Sequence, residues 1–332
     1  MRQVVVTGMG IVSSIGNNKE QVLQSLRKGI SGIEFMPERQ ELGLRCQVGG
    51  RVKGLEADAA KIGKKVLQTM SGVAKYAAVA TLEALEDAKL PHKALHSRRA
   101  GVVVGTAFGG INEVAKTEAL LLTHKSPTRL GATGAVKIMN STAALNLAAW
   151  LGIKGRCVAV SSACATGIDN IGHGYELIQH GLLDLCICGG TEESWQVGAA
   201  FLDNLAVVPF DFNDRPEKAC RPYDRDRQGM IMSEGAGVLI LEALEHATSR
   251  GAQVYAEVLG YGSANDGADM FEPKGTGLKQ CLKQALQEAE SQGPMGIDYI
   301  NPHGAGTKVG DPIEVRVIRE VFGDLSPLVS ST

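Results

Sequence analysis

The chain has 332 residues, of which 44% are hydrophobic, and its formal net charge is −2. A chain of this length and composition can bury a large core, in one big domain or in two fused domains. The near-neutral charge provides no global field that favours nucleic acid, so an acidic partner would have to dock on a local basic patch.

The seven cysteines are odd in number, lie mostly in apolar stretches and form no C-x-x-C pair. This usage is typical of a reducing cytosol. No apolar segment is long enough to span a bilayer, and the opening residues MRQVVVTGMGIVSSIG favour a strand and a turn over a signal peptide. The sequence therefore predicts a cytoplasmic protein with no membrane contact.

Strands and helices alternate along the chain. Strands are predicted at 3–7, 100–105, 158–160 and 184–190, within 230–243 and 252–263, and at 297–300, and helices at 19–28, 75–87, 135–151, 168–180 and 244–249. This alternation predicts parallel strands joined by crossover helices that cover both faces of a sheet. The 41 glycines between short apolar runs favour a glycine-punctuated α/β protein over a sandwich or a bundle.

Two faint internal echoes suggest a duplicated fold. The segment VVVTGMGIVSS at 4–14 is similar to AEVLGYGSA at 256–264, and VSSAC at 160–164 is similar to VSST at 329–332. A true internal repeat would change the fold that the sequence predicts, because it would indicate a duplicated architecture. Two such matches can also arise by chance, so the echoes alone leave duplication open.

An apolar run ends in SSACATG, and a helical pattern follows it, which puts Cys164 near a helix N-terminus. The unpaired N–H groups and the positive end of the helix dipole stabilise a thiolate there, so a nucleophile is plausible. The alternative is a packed, inert thiol, because cysteine is among the most buried residue types. Taken alone, the segment favours the inert thiol.

The segment NPHGAGTKVGDPIE at 301–314 follows a predicted strand. It puts His303 just past the strand end, and Gly304 and Gly306 remove the side-chain bulk that would keep the loop away from a ligand. A histidine in a glycine-rich loop can equally be a turn residue with no chemistry. This segment alone does not separate the two alternatives.

Metal and nucleotide sites are not expected. Cys186 and Cys188 lie two apart on a predicted strand and share a face, but no other His or Cys pair completes a tetrahedral set. Gly8 and Gly10 follow a strand without the third glycine of a dinucleotide signature, and the glycines at 105–110 lack the lysine of a P-loop. We therefore expect no cofactor.

Five motifs together carry a family resemblance over nearly the whole chain: VVVTGMGIVSSIGN at the start, SSACATG, the block from PEKACRPYDRDRQG to SEGAG, NDGADMFEPKG and NPHGAGTKVGDPIE. Through them, the sequence resembles β-ketoacyl-[acyl-carrier-protein] synthases of the type I/II condensing-enzyme group, with the characters of both types mixed. The resemblance implies an α/β, thiolase-like five-layered αβαβα fold built from two pseudo-repeated halves. It assigns residues 1–250 to an N-terminal half with the nucleophilic cysteine and residues 251–332 to a partial C-terminal half with the histidine loop.

The resemblance also implies an activity: the decarboxylative Claisen condensation of malonyl-carrier protein with a Cys-bound acyl chain, in fatty acid or related polyketide-type synthesis. Cys164 matches the nucleophile that takes the acyl chain from a phosphopantetheine thioester. His303 matches the first of two family histidines, which hydrogen-bonds the malonyl thioester carbonyl as CO₂ leaves. The implied partner is acyl carrier protein, and the implied assembly is a homodimer that uses neither metal nor nucleic acid.

The resemblance assigns substrate-binding positions and exposes departures at them. Ala305 stands where the family usually has Thr, while Thr307, expected near the pantetheine arm, remains. Met230 stands where the family usually has Phe, and Phe201 is a further substrate-binding position. Phe108 stands where relatives usually carry a smaller residue at the acyl pocket, so we expect a shortened pocket and a preference for short or bent acyl chains.

Four basic residues fall in segments that resemble the family's docking surface for the acidic carrier protein: Lys64, Lys65, Lys125 and Arg129. A family Arg near the first pair is Gln68 in this chain. The alternative is a solvated charged face without a partner.

The end of the sequence departs most from the family. In relatives, the strand that corresponds to PLVSST is followed by a Lys and then by a Gly-His motif, which supplies the second histidine. We therefore expect an incomplete second half, with exposed apolar surface and an unpaired strand edge. Two function classes stay open: an active condensing enzyme of which this is an incomplete version, and a non-catalytic partner subunit of a heterodimer. Cys164 favours the first, and the missing Lys and His favour the second.

Overall fold

The computed structural model describes residues 1–269, 272–293, 296–323 and 327–331. The chain divides into two compact units. Unit 1 comprises Met1–Gly32, Arg51–Trp195 and Ser233–Val258, and unit 2 comprises Ile33–Gly50, Gln196–Met232 and Leu259–Thr332. Unit 2 takes segments from both sides of residue 250, and the division into halves at that residue stays a prediction. Two residues of the NDGADMFEPKG motif and the last residue of the VSST echo lie outside the described residues.

Strands and helices alternate along much of the chain. The strands are β1 (Val4–Ser13), β2 (Ile33–Phe35), β3 (Val48–Gly50), β4 (Ala100–Gly105), β5 (Cys157–Val158), β6 (Leu185–Glu192), β7 (Gly235–Ala243), β8 (Ala256–Val258), β9 (Tyr299–Ile300) and β10 (Leu328–Val329). The helices are α1 (Lys19–Lys28), α2 (Pro37–Glu41), α3 (Glu56–Ala60), α4 (Lys64–Leu67), α5 (Gly72–Asp87), α6 (Ile111–His124), α7 (Gly134–Ile138), α8 (Thr142–Leu151), α9 (Thr166–Gln179), α10 (Gln196–Asn204), α11 (Leu244–Ser249), α12 (Thr276–Glu290) and α13 (Gly310–Phe322). Short 3-10 turns cover His92–His96, Pro127–Arg129, Ala163–Ala165 and Pro216–Lys218.

The sheet of unit 1 has six described strands in the order β5-β4-β6-β7-β1-β8. β4 pairs in parallel with β5 and β6, whereas the pairs β6–β7, β7–β1 and β1–β8 are antiparallel. The prediction of parallel strands was therefore wrong for three of the five pairs in this sheet. The chain leaves unit 1 after Trp195 and returns at Ser233, so no single crossover helix fixes the direction of β7.

The helix predicted at 135–151 is two helices, α7 and α8, separated by the short segment 139–141. Asn140 in this segment donates from Nδ2 to the carbonyl of Ala107, at 3.2 Å. Asparagine and serine side chains compete with the helical backbone for hydrogen bonds, which explains a break that hydrophobic periodicity does not reveal.

Helix α5 packs directly on strands β1 and β7. Its alanine face meets the glycines of β1, because a Cβ on Gly8 would collide with the carbonyl of Ala84, and one on Gly10 with the carbonyl of Ala80. These two glycines let a helix approach a strand closely. The absence of a side chain at Gly8 and Gly10 therefore serves the packing of α5 on β1.

Helix α9 lies against β6. Cys186 and Cys188 are fully buried, and a Cβ on Gly174 of α9 would meet the Sγ atom of Cys188 first and that of Cys186 next. The prediction that the two cysteines share a strand face is confirmed. Burial raises the pKa of the Cys188 thiol well above its ordinary value, so this pair is a packing feature of the core.

Unit 2 has two small sheets among its described residues. β2 pairs antiparallel with β3, and β9 pairs in parallel with β10. Helices α12 and α13 contact each other. A compact apolar cluster gathers Cys46, Val48, Val208, Phe212 and Ala219. None of the helices in the described ranges is both long and apolar enough to cross a membrane.

Candidate active site

Cys164 lies in the turn Ala163–Ala165, two residues before α9 begins, and it is exposed. The turn starts in a left-handed conformation, with φ +52° at Ala163. The backbone N–H of Ser162 donates to the hydroxyl of Thr166, at 2.9 Å, and so ties the turn to the first residue of the helix. The predicted junction of strand and helix is confirmed, and the thiol lies at the positive end of α9.

Asn170 holds the residues before Cys164 in place. It is fully buried; its Oδ1 accepts from the backbone N–H of Val160 at 3.0 Å, and its Nδ2 donates to the carbonyl of the same residue at 2.9 Å. The same Nδ2 donates to the carbonyl of Thr166, at 2.6 Å. Gly105 allows this approach, since a Cβ there would collide with the carbonyl of Val160. Asn170 was not singled out from the sequence, where the only signal is a polar residue on the apolar side of a helix.

Phe108 lies in a loop that contacts the segment leading to Cys164. The carbonyl of Ala107 accepts from the hydroxyl of Ser161, at 3.3 Å. The ring of Phe108 is 48% exposed and packs against Trp195 in a tilted pair, with 5.8 Å between ring centroids. The structure thus brings the predicted acyl-pocket residue to the segment that carries the predicted nucleophile.

The backbone around His303 is held by Glu314 of α13. The backbone N–H of His303 donates to Oε1 at 2.7 Å, and that of Gly304 donates to Oε2 at 3.0 Å. Tyr223 donates its hydroxyl to the same Oε2, at 2.5 Å. Gly304 has φ +53° and lies so close to Ser331 that a Cβ would collide with that side chain. The loop is therefore fixed, and His303 is exposed on it.

Thr307 and Met230 belong to backbone segments that are each anchored within unit 2. The hydroxyl of Thr307 accepts from the backbone N–H of Gly310, the first residue of α13, at 2.9 Å, and a hydroxyl that accepts can still donate its own hydrogen. The carbonyl of Thr307 accepts from Nε of Arg227, also at 2.9 Å. Met230 is half-buried, and its backbone N–H donates to the carbonyl of Val207 at 2.8 Å.

The polar residues around the loop of His303 were not assigned a role from the sequence. Arg227 pairs with buried Asp311 at 3.3 Å, and Tyr223 donates its backbone N–H to the same carboxylate at 2.8 Å. Burial and the neighbouring carboxylate of Glu314 raise the pKa of the Tyr223 hydroxyl. The signal in the sequence was the pair of carboxylates Asp311 and Glu314, which follow a glycine-rich loop. Their i, i+3 spacing places both side chains on one face of α13.

The predicted site residues divide between the two units. Cys164 and Phe108 belong to unit 1, whereas His303, Met230 and Thr307 belong to unit 2. Phe201 also belongs to unit 2, where it lies on α10 with 61% of its surface exposed.

The four predicted docking residues are all exposed and belong to unit 1. Lys64 and Lys65 are on α4, Lys125 ends α6 with φ +49°, and Arg129 lies in the 3-10 turn that follows. None of the four forms an ion pair within the part of the chain that the structure describes. The hydroxyl of Thr133 donates to the carbonyl of Gln68 at 3.4 Å, which joins the segment after Arg129 to the end of α4.

The described residues contain no group of three or more His, Cys, Asp or Glu side chains arranged to hold a metal ion. The seven cysteines all lie within the described ranges, and no disulfide joins any two of them. Burial raises the pKa of the Cys157 and Cys220 thiols above their ordinary values, which makes these two less reactive at neutral pH.

Two family models match the chain. The model described as beta-ketoacyl synthase, N-terminal domain, matches residues 1–247, and the model described as beta-ketoacyl synthase, C-terminal domain, matches residues 255–332. The 3-oxoacyl-[acyl-carrier-protein] synthase 1 of Haemophilus influenzae is 42% identical over 337 residues, which cover 100% of this chain and 80% of that protein.

Two solved structures are similar over the whole length of the chain. A beta-ketoacyl synthase from Burkholderia phymatum STM815 matches with a TM-score of 0.91 at 32% identity, over 100% of this chain and 80% of that one. A type II polyketide ketosynthase, solved with its acyl carrier protein and bound to the hexaketide, matches with a TM-score of 0.86 at 28% identity, over 99% of this chain and 80% of that one. These matches confirm the predicted α/β, thiolase-like fold.

Proposed function

The chain belongs to the β-ketoacyl synthase family, and from this membership we propose the part that each site residue takes in catalysis. The chain is a 3-oxoacyl-[acyl-carrier-protein] synthase of fatty acid synthesis, an acyltransferase that performs a decarboxylative Claisen condensation. The observation that carries the residue assignment is the position of Cys164, exposed in a fixed turn at the N-terminus of α9.

In the first half-reaction, the thiolate of Cys164 attacks the carbonyl carbon of an acyl-carrier thioester. The bond to the carrier sulfur breaks, and the carrier leaves as a thiol after it takes up a proton. The start of α9 favours the thiolate, and the backbone N–H of Cys164 helps to stabilise the oxyanion of the tetrahedral intermediate. The anchoring of the preceding residues by Asn170 supports this assignment, because a preorganised turn need not rearrange as charge develops.

In the second half-reaction, His303 donates a hydrogen bond to the thioester carbonyl of malonyl-carrier protein. CO₂ leaves, and the electron pair of the broken C–C bond forms an enolate that this hydrogen bond stabilises. The enolate carbon attacks the acyl group on Cys164, and the thiolate leaves. The two backbone hydrogen bonds to Glu314 support this role, since they hold the loop that presents the imidazole.

The remaining site residues bind the substrate. Thr307 donates its hydroxyl hydrogen to the pantetheine arm, and Met230 and Phe201 contribute apolar surface around it. Phe108 fills part of the acyl pocket and so favours short or bent acyl chains. The close contact of its loop with Ser161 supports this placement, because Ser161 is three residues before Cys164.

Acyl carrier protein is the partner, and we propose that it docks on Lys64, Lys65, Lys125 and Arg129. The exposure of all four, and their lack of ion pairs among the described residues, support this surface, because such cations remain available to an acidic partner. We further propose a homodimer and a cytoplasmic location, the latter because none of the seven cysteines, all of them described, is in a disulfide. The alternative of a non-catalytic partner subunit is not favoured, since the chain is 42% identical to a 3-oxoacyl-[acyl-carrier-protein] synthase and carries Cys164.

The test is acylation of Cys164. Incubation of the protein with an acyl-carrier thioester, followed by mass spectrometry of its peptides, should find the acyl group on Cys164, and Cys164→Ala should abolish the label. Cys157→Ser is the matched control, because Cys157 is also exposed but has a raised thiol pKa, and it should keep full labelling. Label on Cys157 or Cys220 with Cys164 unmodified would refute the assignment.

A further inference from the structure

Glu192, at the end of β6, holds the loop 106–110 through hydrogen bonds separate from that of Ser161. Its Oε1 accepts from the hydroxyl of Thr106 at 3.0 Å, and its Oε2 accepts from the backbone N–H of Ala107 at 2.8 Å. The backbone N–H of Glu193 donates a third hydrogen bond, to Oε1 at 3.2 Å. The carboxylate is therefore engaged by protein donors on both oxygens, and two of the three donors belong to the loop that carries Phe108.

The other groups around this loop leave it little freedom. The carbonyl of Ala107 accepts from Nδ2 of Asn140 at 3.2 Å, in addition to its bond from Ser161. Gly109 has φ +71° and donates its backbone N–H to the hydroxyl of Thr106 at 3.2 Å. Thr106 itself is 1% exposed. Ala107, the residue next to Phe108, is therefore bonded at both its N–H and its carbonyl.

The hydrogen bonds that Glu192 accepts require a carboxylate at this position. Burial raises the pKa of Glu192, while the hydrogen bonds from Ala107 and Thr106 oppose that rise by stabilising the charged form. No cation pairs with Glu192 among the residues that the structure describes. Two of the three donors are backbone N–H groups, that of Ala107 on Oε2 and that of Glu193 on Oε1, so a carboxylate satisfies both. The amide of a glutamine offers one acceptor and one donor and would set its N–H₂ group against one of these N–H groups, even though the Thr106 hydroxyl can accept a hydrogen bond.

We propose that Glu192 is a positioning residue that fixes Phe108 and thereby sets the length of the acyl chain that Cys164 accepts. This inference rests on the proposed function, in which Phe108 fills part of the acyl pocket. Phe108 is held at two points: its backbone by Glu192 through the adjacent Ala107, and its ring by Trp195, three residues beyond Glu192. Loss of the Glu192 carboxylate releases the backbone at Ala107, one residue before Phe108. The ring of Phe108 can then move aside, and a longer acyl chain can enter.

The test uses the full chain and measures the rate of acyl transfer to Cys164 from hexanoyl- and tetradecanoyl-carrier protein. In Glu192→Gln, the ratio of the tetradecanoyl rate to the hexanoyl rate should rise about tenfold, which is the size of effect that one methylene group makes in an apolar pocket. Thr106→Val should raise this ratio by a similar factor, because it removes the loop's hydroxyl donor with little change of shape. Phe108→Ala should raise the same ratio, and Glu192→Gln in the Phe108→Ala background should add little, because both changes act through one ring.

Glu193→Gln is the matched control. Glu193 is the neighbouring carboxylate, it is buried, and it accepts from the backbone N–H of Asn112 at 2.9 Å instead of from the loop. Its chain-length ratio should equal that of the wild type, even if its melting temperature falls. A purely structural role for Glu192 would lower the melting temperature without changing the ratio.

The contrary outcomes are distinguishable. An altered ratio in Phe108→Ala with unchanged ratios in Glu192→Gln and Thr106→Val would overturn the positioning role and leave the proposed pocket intact. Unchanged ratios in all three variants would remove Phe108 from the pocket, and the role of Glu192 with it. Absence of acyl transfer to Cys164 in the wild type would refute the proposed function on which the inference rests.

Discussion

Glu314 controls the position of His303 through the backbone of the loop. Its two carboxylate oxygens accept from the backbone N–H groups of His303 and Gly304, and one of them also accepts from Tyr223. Hydrogen bonds that involve a charged group are about twice as strong as neutral ones. A single side chain on a regular helix thus determines where the imidazole of a glycine-flanked loop is presented.

We predict that Glu314→Ala lowers the rate of malonyl decarboxylation by about 100-fold, because a catalytic group displaced by about 1 Å loses that much rate. Acylation of Cys164 should stay within about twofold of the wild type, since that step does not use His303. The measurements are release of CO₂ from malonyl-carrier protein and acyl transfer to Cys164. Glu320→Gln is the control on the same helix, because Glu320 is exposed and pairs only with Lys279 and Arg316 among the described residues. Equal losses of rate in acylation and decarboxylation would contradict the proposal that His303 acts only in the second half-reaction.

The contact of β1 with α5 determines how well the core of unit 1 packs. Two strand glycines make a matched pair of positions. A Cβ on Gly10 would collide with the carbonyl of Ala80 and crowd the backbone of Ala84, whereas a Cβ on Gly237 of β7 would meet nothing within 4 Å. The difference between the two positions is therefore one of packing, not of strand propensity.

We predict that Gly10→Ala lowers the free energy of unfolding by about 1–3 kcal/mol or more, because added volume in a close-packed contact forces the backbone to shift. Gly237→Ala should change it by no more than about 0.5 kcal/mol, as is usual for a surface substitution. Urea unfolding followed by circular dichroism gives both values. Similar losses in the two variants would contradict the assignment of the effect to the close approach of α5.

The sequence predicted the elements that carry strong local patterns. The bounds of β4, α1 and α11 agree with those predicted, because short apolar runs such as AGVVVG and caps such as Asn18 act locally. Strand direction and the length of β1 were not predicted, since pairing depends on residues far apart in the chain: β1 continues to Ser13 because β7 pairs with it along its length.

The candidate site also contains residues that the sequence singled out by a local pattern and residues that it did not. Cys164 and His303 were singled out from the sequence because each follows a predicted strand within a distinctive motif, and their roles stay predictions. Asn170, Glu192 and Glu314 were missed, because a polar residue inside an element has no local signal that names its distant partner. Their roles depend on hydrogen bonds to residues distant in the chain: Asn170 bonds to Val160, 10 residues away, Glu192 to Ala107, 85 residues away, and Glu314 to Tyr223, 91 residues away.

The molecule as a whole has a net charge of −2, so it does not attract an acidic carrier protein over long distances. Docking would depend on a local surface, and Lys64 and Lys65 are the clearest members of the surface proposed above, because both are exposed on α4 and neither forms an ion pair within the described ranges. Contacts of this kind act mainly on the encounter of two proteins and are weakened by salt.

We predict that Lys64→Glu with Lys65→Glu raises the KM for acyl-carrier substrates about tenfold at low ionic strength, since two exposed charge contacts of about 0.7 kcal/mol each correspond to that factor. The effect should shrink toward about twofold or less near 0.5 M salt, where the screening length is only a few ångströms. Lys93→Glu with Lys154→Glu is the matched control, because both lysines are exposed in unit 1 without an ion pair among the described residues, and the net charge changes by the same amount. Steady-state kinetics at several salt concentrations separate the outcomes. An equal rise of KM in both double variants would attribute the effect to net charge, and an unchanged KM in the first would remove α4 from the docking surface.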